Sequence, residues 1–137
     1  MLDYTDHTAL LKMIKKHRED SNITITSMSQ KLGFKRPSGY ANIEYGKRNL
    51  SFINGVKILQ ILGIRFEDVS IDNFTLGKLE RYRKERGITK AFISKKLGFK
   101  SVSGYAFIEY EQRNLSFNHA VLIAQILNVE MEELFFA

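Results

Sequence analysis

Asn42 stands between two basic pairs, Lys35-Arg36 before it and Lys47-Arg48 after it. A carboxamide can form a bidentate hydrogen-bond pair with an adenine edge, and an arginine or lysine can take guanine or a phosphate. The residues around it, Ser38, Gly39, Ala41 and Tyr45, are small or carry a polar tip. A helix that reads base edges needs such an outer face, an apolar inner face and phosphate donors at both margins. A plain solvated helix surface is the alternative reading of the same residues. Both readings stay open at the level of this segment.

The segment is present twice. LGFKRPSGYANIEYGKRNLSF at residues 32–52 returns 65 positions later as LGFKSVSGYAFIEYEQRNLSF at residues 97–117, and the register holds without a gap from Leu11/Leu76 to Val69/Leu134. Self-similarity at a fixed period sets the fold expectation. Two copies of this period are too few for a solenoid, and each is about the smallest size that folds alone. The expectation is two tandem domains, residues 1–69 and 75–137, joined by a linker at 70–74. So short a linker would keep the domains close neighbours.

Copy two departs from copy one on the outer face. Asn42 becomes Phe107, Arg36 becomes Ser101, Gly46 becomes Glu111 and Lys47 becomes Gln112. Ser103, Gly104 and Ala106 are retained, and Lys90, Lys95, Lys96, Lys100 and Arg113 still offer phosphate contacts. Phe107 could meet thymine methyl groups or a protein. The first 69 residues carry eleven basic against seven acidic groups and the remainder ten against eight, so the first copy is expected to be the stronger binder of a polyanion.

Other chemistries fit poorly. His7, His17 and His119 share no ligand spacing and the chain has no cysteine, which leaves no metal site, disulfide or thiol nucleophile to expect. Gly33 and Gly39 lack the Gly-Lys-Ser/Thr end of a phosphate loop. Glu44 and Glu109 recur in different copies, which argues against their acting together as acid and base. Tyr40, Tyr105, Phe34, Phe99, Phe52 and Phe117 fall on inward positions, whereas a single-strand platform needs exposed rings. No enzyme, cofactor or metal is expected. The N-terminus MLDYTDHT lacks the pattern of a secretory signal, no apolar run approaches membrane-spanning length, and cysteine is absent, so a cytoplasmic protein with no membrane partner is expected. The chain has 137 residues, 44% hydrophobic, with a net charge of +6 and a pI near 9.5, which favours a polyanionic partner.

The elements that must position these residues read as helices throughout. Leu10, Leu11, Ile14 and Arg18 follow helical spacing. Thr24 starts a second helix with Ile25 and Met28 inward, and Gly33 ends it; a third follows Pro37 with Ser38 as its cap and ends at Gly46. Ser51 caps a fourth, rich in Val56, Ile58, Leu59 and Ile61, and a short fifth is expected from Phe66 to Val69. Copy two repeats this punctuation at Thr75, Thr89, Gly98, Ser103, Ser116 and Asn128. Period-two alternation and hairpin dipeptides are missing, so the fold class is all-α.

The order Ile-Thr, Lys-Leu-Gly-Phe, Ser-Gly-Tyr-Ala-x-Ile-Glu-Tyr and Arg-Asn-Leu-Ser-Phe resembles the helix-turn-helix family of phage Cro and its cognate repressors, the XRE type, over residues 10–69 and again over 75–135. The resemblance implies two five-helix, lambda-repressor-like domains whose third helix enters the major groove of duplex DNA, usually as a homodimer on two half-sites. It also implies that Arg18–Glu44 and Arg83–Glu109 bridge the first and third helices beneath the surface. The expected activity is that of a sequence-specific transcriptional regulator, a repressor above all. A protein-interaction module, such as an antitoxin or phage-encoded inhibitor whose second domain docks a protein, is the alternative from another class, and an architectural DNA binder is a third.

Overall fold

The order of elements follows from where the chain places its caps and its apolar stripes. In this computed structural model, which describes residues 4–137, α1 runs His7–Asp20, α2 Ile25–Lys31, α3 Pro37–Glu44 and α4 Phe52–Ile61. After a single 3-10 turn at Ile71–Asn73 come α5 Leu79–Glu85, α6 Lys90–Lys96, α7 Ser103–Glu109, α8 Phe117–Leu127 and α9 Met131–Phe135. Among the described residues no extended pairing exceeds the isolated antiparallel bridge Phe74–Phe136. The reading of the N-terminus against a secretory signal rests partly on Met1–Asp3, which lie outside the described residues.

The chain divides into two compact units, one ending at Glu67 and the other spanning Asp68–Ala137. Each builds a core from the same register positions. Ile14, Met28, Tyr40, Ile43 and Phe52 are at most 1% exposed in the first; Leu79, Ile93, Tyr105, Ile108 and Phe117 are fully buried in the second. Thr24 and Thr89 cap α2 and α6 by accepting from Ser27 N and Phe92 N, and Ser51 and Ser116 cap α4 and α8 likewise, each about a 1 kcal/mol contribution. Asn128 ends α8 in the left-handed region at φ 56°.

Several local expectations are corrected. Ser38 and Ser103 are not caps: α3 starts with Pro37 as its first residue behind Arg36, and α7 with Ser103 itself behind Val102. The missing proline N–H needs no partner at that position. Thr75 caps no helix; its hydroxyl accepts from Gly77 N, and α5 begins later, at Leu79. The fifth helix of copy one does not form. Phe66 turns to φ 64°, packs its ring edge-on against Phe52 at 6.1 Å and gives its carbonyl to Gln60 Nε2, which takes the acceptor a helix would use. Copy two, with Met131 at that register, starts α9 there.

The stretch Ser70–Phe74 belongs to the second unit. Its Asn73 carbonyl accepts from Ala137 N at 2.8 Å, Thr75 N donates to the Phe135 carbonyl at 2.8 Å, and the Phe74 and Phe136 rings meet edge-on at 6.2 Å. Lys78 Nζ closes the same corner by donating to the carbonyls of Glu133 and Phe136 at 2.9 and 2.6 Å. These contacts tie the stretch to the last residues of the second unit.

One close approach shapes both units. A Cβ on Gly39 would lie 2.5 Å from Phe34 Cγ, and one on Gly104 2.3 Å from Phe99 Cγ, so the ring of the turn sits directly on the third helix. Gly104→Ala is expected to cost about 1–3 kcal/mol by overpacking and to lower the midpoint of thermal or urea unfolding. Unfolding at the parent's midpoint would show that the ring moves aside freely.

Candidate nucleic-acid interface

Two helices at a fixed angle need a turn that cannot slide, and a buried serine supplies it. Ser29, 1% exposed, donates to the Arg36 carbonyl at 2.6 Å and accepts from Tyr40 N at 3.3 Å, tying α2 to the turn and to the first turn of α3. Ser94 repeats both bonds, to the Ser101 carbonyl at 2.5 Å and from Tyr105 N at 3.3 Å. Residue identity at these two serines across the copies was the signal available in the sequence for this clamp.

Behind the third helix lies an ion pair. Arg18 reaches from α1 to Glu44 with Nε–Oε2 at 2.8 Å and Nη2–Oε1 at 2.9 Å, while its Nη1 donates to the Ile23 carbonyl at 2.8 Å. Arg83 and Glu109 repeat the fork at 3.0 and 3.0 Å, with Nη1 on the Ile88 carbonyl at 3.2 Å. The side chains are 8% and 1% exposed in the first pair and 9% and 2% in the second. Burial pushes the Glu44 carboxyl up, but the hydrogen bonds and charge of Arg18 outweigh that and hold it below the ordinary carboxylate range. The neighbouring Tyr40 hydroxyl is driven far above the ordinary phenol range by burial and then by Glu44.

With its inner face so fixed, α3 turns Ser38, Asn42 and Tyr45 outward, all exposed, and Ala41 half outward. Lys35 and Arg36 lie exposed at its start. At its end the chain folds back so that Lys47 N and Arg48 N both donate to the Asn42 carbonyl, at 2.8 and 3.0 Å. That places the second basic pair beside Asn42. Arg48 also lays its guanidinium over the Phe34 ring at 4.8 Å. Gly39 does not join the outer set: it is half-buried against Phe34.

The second unit keeps the frame and changes the surface. Gly104 is buried under Phe99 and so leaves the outer set, and Ala106 is half-buried. Ser101 and Ser103 are exposed but hydrogen-bonded to each other at 2.6 Å. Lys90 Nζ donates to the Tyr110 hydroxyl at 2.6 Å, whereas Lys100 is exposed and Arg113 lies over the Phe99 ring at 4.7 Å. Glu111 holds φ 63°, a left-handed conformation that Gly46 adopts at φ 76° without steric cost in the first unit. Phe92, Val102, Phe107 and Tyr110 are all exposed, against Tyr45 as the large exposed apolar side chain of the first unit. Phe92 and Val102 escaped attention in the sequence. Their signal was the replacement of Ser27 and Pro37, two further polar-to-apolar or shape changes alongside Asn42 to Phe107.

Among the described residues no group of three or more His, Cys, Asp or Glu could hold a metal ion, and no helix is long and apolar enough to cross a membrane.

Two helix-turn-helix units, each presenting its third helix on a rigid inner frame, define a DNA-binding class of protein. Residues 14–69 and 79–134 each match the helix-turn-helix family, and the chain belongs to that family as two tandem domains of the XRE, Cro-like type. No curated protein and no solved structure gives a significant match.

Proposed function

We propose that the protein is a sequence-specific regulator of transcription that binds duplex DNA in the cytoplasm and acts as a repressor, with α3 as its principal reading helix in the major groove and α7 as a second. One observation carries this: exposed Asn42 lies on the outer face of α3 with Lys35 and Arg36 at one end and Lys47 and Arg48 at the other. That order matches the division of labour at a duplex, where phosphate contacts position and a side-chain amide specifies. Repression asks least of such a surface, since a helix lodged in the groove excludes other proteins from the same base pairs. Ion pairs and rings on the inner face support the outer one and touch no substrate, so no catalysis is part of the reading.

Selection from a randomised duplex pool, followed by footprinting on the enriched site, tests the proposal. An enriched motif bound well above random duplex supports it; equal binding to all sequences would leave an architectural role instead. On the enriched site Asn42→Ala is expected to cost about 1–3 kcal/mol and to relax selection at one base pair, read by fluorescence anisotropy against single-base variants. A uniform loss across every sequence would assign Asn42 to the phosphates.

A further inference from the structure

The outer face of α7 differs from that of α3 at two positions, where Phe107 replaces the polar Asn42 and Val102 replaces Pro37. At 100° per residue Val102, Ser103, Ala106, Phe107 and Tyr110 share one face, the counterpart of Pro37, Ser38, Ala41, Asn42 and Tyr45. On it Val102 is 47% exposed, Phe107 42% and Tyr110 55%. The polar atoms at its margins already have partners within the chain: Ser103 Oγ on Ser101 Oγ, and the Tyr110 hydroxyl on Lys90 Nζ. At its centre Phe107 and Val102 have nothing to offer the hydrogen-bonding edge of a base and much to offer an apolar group. Cations rim it: Lys90 Nζ lies 4.6 Å from the Tyr110 ring centre, and Lys100 and Arg113 stand exposed before and after the helix, with the Glu111 carboxylate beside them.

An apolar strip with a cationic rim selects an occupant that is anionic and carries apolar projections. Duplex DNA has both in the thymine C5-methyl groups of its major groove, flanked by phosphates. A second copy of the same face fits worse, because an isologous contact would set lysine against lysine around the strip. We propose that the second unit selects thymine through its methyl group, with Phe107 and Val102 as the specificity-determining contacts, so that the protein reads a composite site: hydrogen-bonding edges by the first unit, methyl groups by the second. This rests on the reading of α7 as groove-facing.

The test uses the full chain and the site enriched from the randomised pool, resynthesised with deoxyuridine replacing thymidine one position at a time. Each methyl removed under α7 should weaken the parent about four-fold. The double variant Val102→Ala with Phe107→Ala should bind the thymidine and deoxyuridine versions of those positions equally, while Asn42→Ala keeps the parent's discrimination. Phe107→Asn should exchange thymine for adenine preference there; circular dichroism of both variants confirms their fold. Equal parent affinity for the thymidine and deoxyuridine sites overturns the proposal, as does continued methyl discrimination by the Val102→Ala, Phe107→Ala double variant. Parent-like DNA binding by the Phe107 variants, coupled to loss of an acidic protein partner or of self-association, overturns it in favour of a docking face. In all these cases the parent still binds a selected duplex, and the broader reading survives. Absence of parent binding to any duplex at low salt would remove both.

Discussion

Glu44→Ala is expected to destabilise the protein by about 3–5 kcal/mol, because it leaves the Arg18 guanidinium buried without its carboxylate. The residual bond to the Ile23 carbonyl satisfies one nitrogen and neutralises no charge. Replacing both partners by apolar residues, Arg18→Met with Glu44→Leu, should recover most of that loss, since the cost lies in the orphaned charge more than in the missing attraction. Urea unfolding of the single and double variants measures both. The pH dependence follows from the direction of the Glu44 shift. Its folded carboxyl is held below the ordinary range, so the pair contributes fully above the unfolded value of roughly 4.3 and loses its contribution as pH falls through the lower folded value. Glu44→Gln should therefore flatten the acid limb of the stability profile. A Glu44→Ala protein that unfolds like the parent while losing DNA affinity would move this residue from the frame to the interface.

DNA affinity is expected to fall steeply with salt. Lys35, Arg36, Lys47 and Arg48 are all exposed on the margins of α3, and Lys100 lies exposed before α7. Each phosphate neutralised adds about 0.9 to the slope of log affinity against log salt, so four contacts from the first unit alone imply a slope of about −3.6 and roughly a hundredfold loss for a fourfold rise in salt. Anisotropy titrations at several salt concentrations give the slope directly. Lys47→Ala should reduce it by about one contact while leaving base preference intact, the reverse of the pattern expected for Asn42→Ala. A flat response would mean that the basic pairs do not face phosphates at all.

The fold was legible in the residues because its signals are local and repeated. Helix spacing, Thr24 and Thr89 as caps, and Gly33 and Gly98 as terminators each depend on a few neighbouring positions, and a copy 65 residues away repeats every one. The outer residues of α3 were legible for the same reason: once the inward positions of a helix are identified, its opposite face follows from the period.

Tertiary contacts decided the rest. Phe66 carries the same local signals as the start of α9, yet a side chain six residues upstream claims its carbonyl and its ring enters the core beside Phe52. Ser70–Phe74 reads as a polar connector, but its partners are the last residues of the chain, a pairing that no window of neighbours contains. Gly39 and Gly104 sit at outward-looking spacing near the start of the third helix, and only the approach of Phe34 and Phe99 shows that their missing side chains make room for a ring. The sequence by itself determined most of the helices, their duplication, their family and the residues that face outward from the third helix of the first unit. Which of those side chains remain free depended on contacts across the fold, because a hydroxyl or a glycine is committed only by the partner that reaches it.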